Sequence, residues 1–109
     1  MDKAGQFVVQ CHARQDESVH WDLMLEEGDI LRTYRVNIPP EEWGDDPIGA
    51  TRIFDHPVKF LSYQGSVNKG KGEVRIADEG TYRIVKEGAG QMKVELKGNV
   101  LKGEFLFRI

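Results

Sequence analysis

The side chains best suited to chemistry in this sequence are its three histidines and one carboxylate close to them. His20 and Asp22 lie two residues apart in a stretch that alternates apolar and other residues. The apolar positions are Val19, Trp21, Leu23 and Leu25. Such alternation is typical of a strand with one buried face, so His20 and Asp22 should share the opposite face, with Cα atoms about 7 Å apart. His12 and His56 lie at or near the ends of two other strand-like runs.

These four side chains have the chemistry to bind a divalent cation. Neutral imidazoles and a carboxylate suit a borderline ion such as manganese, zinc or iron, and they would leave coordination positions open for a substrate. A histidine on the exposed face of a strand is also a common surface residue, and the spacing alone fits both interpretations. The sequence therefore predicts a candidate metal site at His12, His20, Asp22 and His56, with ordinary surface histidines as the alternative.

The overall composition is typical of a soluble globular domain. Of the 109 residues, 30% are charged and 39% are hydrophobic. No apolar run approaches the roughly 18 residues of a membrane-spanning helix, and residues 1–6 lack the apolar core of a signal peptide, so we expect a cytoplasmic protein without membrane contact. The net charge of −3 argues against a protein that coats long nucleic acid, although a few local cations can hold a single phosphate.

The single cysteine, Cys11, excludes an internal disulfide. It alternates with Phe7 and Val9 on the apolar side of a predicted strand. We therefore interpret Cys11 as a buried thiol and not as a nucleophile.

Strand-like segments recur along the whole chain. Alternating patterns predict strands at residues 7–12, 19–26, 30–36, 50–54, 73–77, 81–85, 91–96 and 104–108. Gly28-Asp29 predicts a tight hairpin, and the proline-rich segment 37–47 leaves room for one helical turn at residues 40–43. About eight short strands with little helix predict one all-β domain over residues 1–109, a small closed or nearly closed antiparallel β-barrel.

The order of these motifs resembles the 3′-phosphoesterase domain that is found at the amino-terminal end of bacterial ligase D and as stand-alone bacterial and archaeal proteins. The matching segments span nearly the whole chain: residues 7–10 before His12, and residues 20–23, 55–57, 80–82 and 101–103. The resemblance implies a β-barrel enzyme that uses a divalent metal, usually manganese, to heal 3′ ends of DNA in repair by non-homologous end joining. It also implies that His12, His20 and Asp22 bind the metal and that His56 helps to hold the scissile phosphate.

Several positions depart from the family pattern. Seven residues, 13–19, separate the first two histidines where the family usually has five. Met24 and Ile38 stand where the family carries an arginine and a lysine in the site, and Phe60 replaces a tyrosine. Each lost charge-assisted contact would cost about 1.5–3 kcal/mol.

Other cations could rebuild the phosphate-binding half of the site. The nearby candidates are Arg14, Arg32, Arg35, Arg52, Lys69 and Lys71. From these we select Arg14, Arg52, Lys69 and Lys71 as phosphate-binding candidates. The two lysines lie in residues 66–72, which we predict to be a flexible turn, and a solvated loop is the alternative interpretation for them.

Three functions fit the sequence. The first is a metal-dependent phosphoesterase that acts on DNA 3′ ends, with His12, His20, Asp22 and His56 as its catalytic residues and Mn²⁺, or Zn²⁺ or another transition metal, as cofactor. The second is a catalytically weakened module that binds a metal or a DNA end and recruits a separate ligase or polymerase. The third is a small barrel that binds an unrelated ligand and whose histidines do not meet.

Overall fold

The computed structural model describes residues 3–109, which form one sheet of nine strands and three short 3₁₀ turns. Residues 1 and 2, which belong to the segment that we read as lacking a signal peptide, lie outside the described residues. The strands are β1 (Ala4–Arg14), β2 (Val19–Glu27), β3 (Ile30–Val36), β4 (Ile48–Gly49), β5 (Thr51–Pro57), β6 (Gly65–Val67), β7 (Gly72–Gly88), β8 (Gln91–Gly98) and β9 (Lys102–Arg108). The 3₁₀ turns are Pro40–Glu42, Val58–Leu61 and Asn68–Gly70. Among residues 3–109, no helix is long and apolar enough to cross a membrane.

The sheet curls into a half-barrel. Its strands follow the order β4-β9-β8-β7-β1-β2-β3-β5, with β6 beside β7, and every pair is antiparallel except β4 with β9. In the described part of the chain the two end strands, β4 and β5, do not pair with each other; they follow one another through the single residue Ala50. The predicted small, all-β, barrel-like fold is confirmed, and the barrel is open.

Strand β7 joins two segments that we predicted as separate strands, residues 73–77 and 81–85. Gly80, which we read as part of a turn between them, lies inside β7 opposite Gly98 of β8. A Cβ at Gly80 would collide with the backbone of Lys97 and Gly98. This glycine therefore permits a close approach of two strands, and the chain does not reverse there.

Both faces of the central strands are covered. One face packs into the main hydrophobic core, whose members include Phe7, Leu23, Val94 and Phe107. The opposite face holds a smaller cluster of three buried residues, Val8, Met24 and Leu31, with Phe60, Leu61 and Ile76 packed against it. We refer to these six residues as the second cluster.

The segment after β5 lies over the face of the second cluster. The side-chain amide of Gln10, which is buried on β1, donates hydrogen bonds to the carbonyl oxygens of Phe60 (2.8 Å) and Tyr63 (3.0 Å). These bonds hold residues 58–63 against β1. The strand face that carries the predicted metal ligands is consequently the floor of a partly covered cleft.

Cys11 is a free thiol and is half-buried, less deeply than predicted. Burial raises the pKa of this thiol above its usual value. The protonated form therefore prevails at neutral pH, in agreement with the interpretation that Cys11 is not a nucleophile.

Candidate active site

Strands β1 and β2 bring three of the predicted metal ligands together. In their antiparallel register His12 lies directly opposite His20, and Asp22 follows two residues later on β2. His12 Nδ1 is 3.2 Å from His20 Nε2, which is 3.3 Å from Asp22 Oδ2. One donor atom from each of the three residues lies within 4.8 Å of the other two. We call these three side chains the metal triad.

Burial determines the protonation of the metal triad. His20 is 5% exposed and Asp22 is 3% exposed. Burial lowers the pKa of His20 to about 4, and the positive charge of Arg35 acts in the same direction. Burial also lowers the pKa of His12, and it raises the pKa of Asp22 to about 6 against the opposing charge of Arg35. Both imidazoles are neutral at pH 7, and a neutral imidazole can offer a nitrogen lone pair to a cation.

The geometry of the metal triad fits a divalent cation. Two ligand atoms that bind one ion at about 2.1 Å lie about 3.0–3.5 Å apart, and the two short contacts of the triad fall in this range. Within the described residues, the second carboxylate oxygen of Asp22 is buried without a hydrogen-bond partner, and Arg35 Nε lies 3.8 Å from it. A buried carboxylate that has few hydrogen bonds and no close cation is stabilised when a positive ion binds beside it. Two imidazoles and one carboxylate suit manganese, zinc or iron.

His56 belongs to the same site and is oriented by β3. Its Nδ1 atom is 2.9 Å from the hydroxyl oxygen of Thr33, which is itself 3.0 Å from the carbonyl oxygen of Leu31. A carbonyl can only accept, so the Thr33 hydroxyl donates to Leu31 and accepts a hydrogen bond from His56 Nδ1–H. Burial lowers the pKa of His56. The neutral ring that results carries its lone pair on Nε2.

One cleft of about 390 Å³ is lined by His12, Asp22 and His56, and His20 lies against the first two. Its polar lining consists of Gln10, His12, Arg14, Asp22, Arg35, His56 and Asn68. Its apolar lining consists of Met24, Ile53, Phe54, Pro57, Phe60, Val67 and Val74. The cleft thus combines a cation-binding cluster, two arginines and an apolar wall.

Two of the six cations that we considered from the sequence line the cleft. Arg14 follows His12 by two residues on β1, and Arg35 lies on β3 directly opposite Asp22. Arg32 is buried instead in ion pairs with Glu27 and Glu87. Because Arg32 and Arg35 differ by an odd number of positions on β3, their side chains point to opposite faces of the sheet.

The other three phosphate-binding candidates lie outside the lining of the cleft. The Arg52 guanidinium pairs with Asp55 at 2.8 Å and stacks over the ring of Tyr34 at 5.5 Å. Lys69 and Lys71 belong to the segment that we predicted as a flexible turn, which contains β6 and a 3₁₀ turn. Asn68 and Val67 are the residues of this segment that reach the cleft.

Two of the three family departures serve packing. Met24 is 1% exposed and belongs to the second cluster, and Phe60 packs against it. Ile38 is 39% exposed. The second cluster buries the Met24 side chain, so this position adds little to the exposed surface of the protein.

Comparison with known proteins identifies the family. Residues 10–108 match the family model for the DNA ligase D 3′-phosphoesterase domain. The chain belongs to this phosphoesterase family. A curated relative, the multifunctional non-homologous end joining protein LigD of Mycolicibacterium smegmatis, is 31% identical to this chain over 116 residues. The match covers 91% of this chain and 15% of that relative, so the chain spans about 15% of the relative's length.

Sequence reasoning missed Gln10, Phe54 and Asn68, which line the cleft, and Thr33, which contacts the His56 ring. The position of Thr33 could have been predicted from the Gly28-Asp29 hairpin. This turn sets the register that places Thr33 opposite Met24, on the same face of the sheet as Asp22. No comparable local signal identified Phe54, which reads as an ordinary apolar strand residue.

Proposed function

We propose that this domain is a metal-dependent 3′-phosphoesterase that removes a terminal phosphate or ribonucleotide from DNA 3′ ends during non-homologous end joining. The product would be a 3′-hydroxyl end that a separate polymerase or ligase can use. One observation carries the proposal: two members of the metal triad, His12 and Asp22, line one cleft together with His56 and two arginines in a chain of the 3′-phosphoesterase family.

The metal triad has the role of binding a divalent cation, with Mn²⁺ as our first choice and Zn²⁺ or another transition metal as alternatives. When bound there, the cation would supply Lewis-acid polarisation of a phosphoryl oxygen. His12 and His20 offer neutral nitrogen ligands, and Asp22 offers a charged oxygen ligand. The burial of His20 and Asp22 limits the competition of water for these two ligands, and His12 is half-buried.

The two arginines have the role of holding the phosphate. Arg35 contacts the Asp22 carboxylate only loosely, at 3.8 Å, and its side chain is 32% exposed, so its guanidinium can also reach a substrate. Arg14 is exposed at the mouth of the cleft. Charge-assisted hydrogen bonds of this kind contribute about 1.5–3 kcal/mol each, which would offset the loss of an arginine at the Met24 position.

His56 has the role of moving a proton at Nε2. Thr33 holds the ring through Nδ1, which leaves Nε2 free to accept a proton from the attacking water. Once protonated, the ring can donate a hydrogen bond to a phosphoryl oxygen and stabilise the charge that develops there.

The test is phosphate release from a primer–template that carries a 3′-phosphate, assayed with and without Mn²⁺. We expect turnover with Mn²⁺ and a loss of about 100-fold or more in His20→Ala and Asp22→Ala. Asp46→Asn changes an exposed carboxylate away from the cleft and should keep full activity. Absence of turnover by folded, metal-loaded protein on both 3′-phosphate and 3′-ribonucleotide ends would contradict the proposal.

The non-catalytic alternative makes a different prediction for the same protein. A recruiting module would bind recessed 3′ ends without turnover, and added metal would leave its affinity unchanged. The burial of Met24 weakens the argument for this alternative, since a docking surface needs exposed apolar groups.

A further inference from the structure

Phe54 is the most exposed of the large hydrophobic residues among residues 3–109. It is 74% exposed, although it lies on β5 and lines the same cleft as the metal triad. Its ring stacks on the ring of His56, with centroids 4.7 Å apart and planes 21° apart. One face of the phenyl ring therefore covers His56, and most of the remaining ring surface meets solvent.

A bulge in β5 accounts for this orientation. His56 pairs with Leu31 and Ile53 pairs with Thr33, so two residues of β5, Phe54 and Asp55, lie opposite a single residue of β3. Bulges of this kind redirect side chains and are frequent beside active sites. The core does not use the Phe54 ring, because neither hydrophobic cluster includes it.

The position of Phe54 relative to the charged groups suggests a ligand with two parts. Arg14, Arg35 and the metal triad make one part of the cleft suited to a phosphate, and the Phe54–His56 stack supplies an open aromatic face in the same cleft. A nucleotide combines an anionic group with a flat aromatic base, and bases stack on aromatic side chains whatever their sequence.

We propose that Phe54 is a stacking platform for the nucleobase of the 3′-terminal nucleotide. The proposal rests on the proposed 3′-end function and adds the way in which the substrate end is recognised. A base that remains paired and stacked in a duplex cannot also lie on Phe54. The end of a primer–template therefore reaches Phe54 when its last base pair is open.

The first test measures binding directly, by the fluorescence of 2-aminopurine placed as the last base of a single-stranded oligonucleotide with a 3′-phosphate. The titration uses metal-free protein so that the oligonucleotide stays intact. We expect the emission to change on binding, because stacking alters it, and Phe54→Ala to weaken binding about 5- to 100-fold. Phe54→Tyr should retain the wild-type affinity, and Phe54→Leu, which keeps an apolar side chain without an aromatic face, should resemble Phe54→Ala. Val100→Ala, at a residue that is 52% exposed in the turn between β8 and β9, is the matched control and should bind normally.

The second test is a double-mutant cycle in which the terminal base is removed. The oligonucleotide ends in an abasic nucleotide and carries a fluorophore at its 5′ end, so anisotropy reports binding. On this oligonucleotide the affinity of Phe54→Ala should be less than twofold below that of the wild-type protein. Equal losses on the intact and abasic ends would overturn the platform. So would wild-type affinity in Phe54→Leu, since the contact would then depend on apolar surface alone.

These binding tests separate the platform from the proposed activity. Suppose that the protein shows no turnover, but Phe54→Ala weakens binding only when the terminal base is present. This result supports the stacking role of Phe54 and contradicts the proposed phosphoesterase activity. Turnover together with equal losses of affinity on intact and abasic ends supports the phosphoesterase activity and overturns the stacking role of Phe54.

Discussion

At the scale of single residues, the buried carboxylate of Asp22 is the group that most clearly opposes folding. It is 3% exposed, and burial raises its pKa to about 6 from an ordinary value of 3.8. The folded state therefore holds the proton more tightly than the unfolded chain does. As the pH rises from about 4 through about 6, ionisation costs the folded protein up to about 3 kcal/mol, from about 1.4 kcal/mol for each pKa unit.

This cost predicts the behaviour of Asp22→Asn without metal. The variant should be more stable than the wild-type protein by about 1–3 kcal/mol above pH 6, and the difference should vanish below about pH 4, because asparagine does not ionise. Urea denaturation in EDTA at the two pH values measures it. Addition of Mn²⁺ should stabilise only the wild-type protein, since the variant lacks the charged ligand. A variant less stable than wild type at both pH values would mean that Arg35 compensates the carboxylate fully.

At the scale of elements, the site depends on how closely β7 approaches β1. Gly72, the first residue of β7, pairs with Arg14 of β1 and lies beside His12. A Cβ at this glycine would be 2.8 Å from His12 Nε2, closer than real contacts allow. The His12 ring would have to shift relative to the other two ligands, and the carbonyl oxygen of Ala13, 3.3 Å from the same added carbon, leaves little room for the methyl group.

Gly72→Ala should therefore weaken Mn²⁺ binding by about 10- to 100-fold, the usual effect of disturbing the support of a metal ligand. Titration calorimetry measures the affinity. Gly88→Ala provides a matched control at the other end of β7, where nothing lies within 4 Å of the added carbon and the φ angle suits any residue. Equal affinities in the two variants would show that the His12 ring adjusts to the added methyl group.

The hairpin between β2 and β3 shows how much one element can determine. Gly28-Asp29 was predicted as a tight turn, and Gly28 has a φ of +65° there. A two-residue turn sets the register of both strands, and this register places Asp22 opposite Arg35. The choice of Arg35 over Arg32 as the arginine that faces the site could thus have been made from the sequence.

At the scale of the whole molecule, the net charge differs in sign from the arginine side chains that line the cleft. The chain carries a net charge of −3, yet two arginines line the cleft. Such a protein should contact few phosphates, so the logarithm of its affinity for a single-stranded 3′ end should fall with the logarithm of the salt concentration with a slope of about −1 to −2.

Arg35→Gln should reduce the magnitude of that slope by about 0.7, the contribution of one phosphate contact on a single strand. Fluorescence anisotropy in metal-free buffer at increasing KCl concentrations measures it, and Lys102→Gln, at an exposed cation outside the cleft, should leave the slope unchanged. A steep slope that does not depend on Arg35 would place the DNA on another surface.

The sequence by itself determined the all-β class, the β2–β3 hairpin and the pairing of His20 with Asp22 on one strand face. These features depend on side-chain alternation and on turn residues, which act over a few neighbouring positions. It did not determine that Gly80 lies within one long strand, since a glycine that permits close packing and a glycine that permits a turn look alike in sequence.

Only the tertiary structure decided which distant groups meet. His12 joins His20 through the β1–β2 register, and His56 reaches the cleft because β5 pairs with β3 after the connection 37–50. The segment 58–63, which Gln10 holds against β1, packs on the same strand face that carries the metal triad. Long-range packing determines the register of strands that a long polar loop connects. It also determines which segment covers a strand face. Neither produces a periodic pattern in the sequence. That is why the sequence predicted the ligands, and only the fold decided that they meet and that Phe54 is exposed beside them.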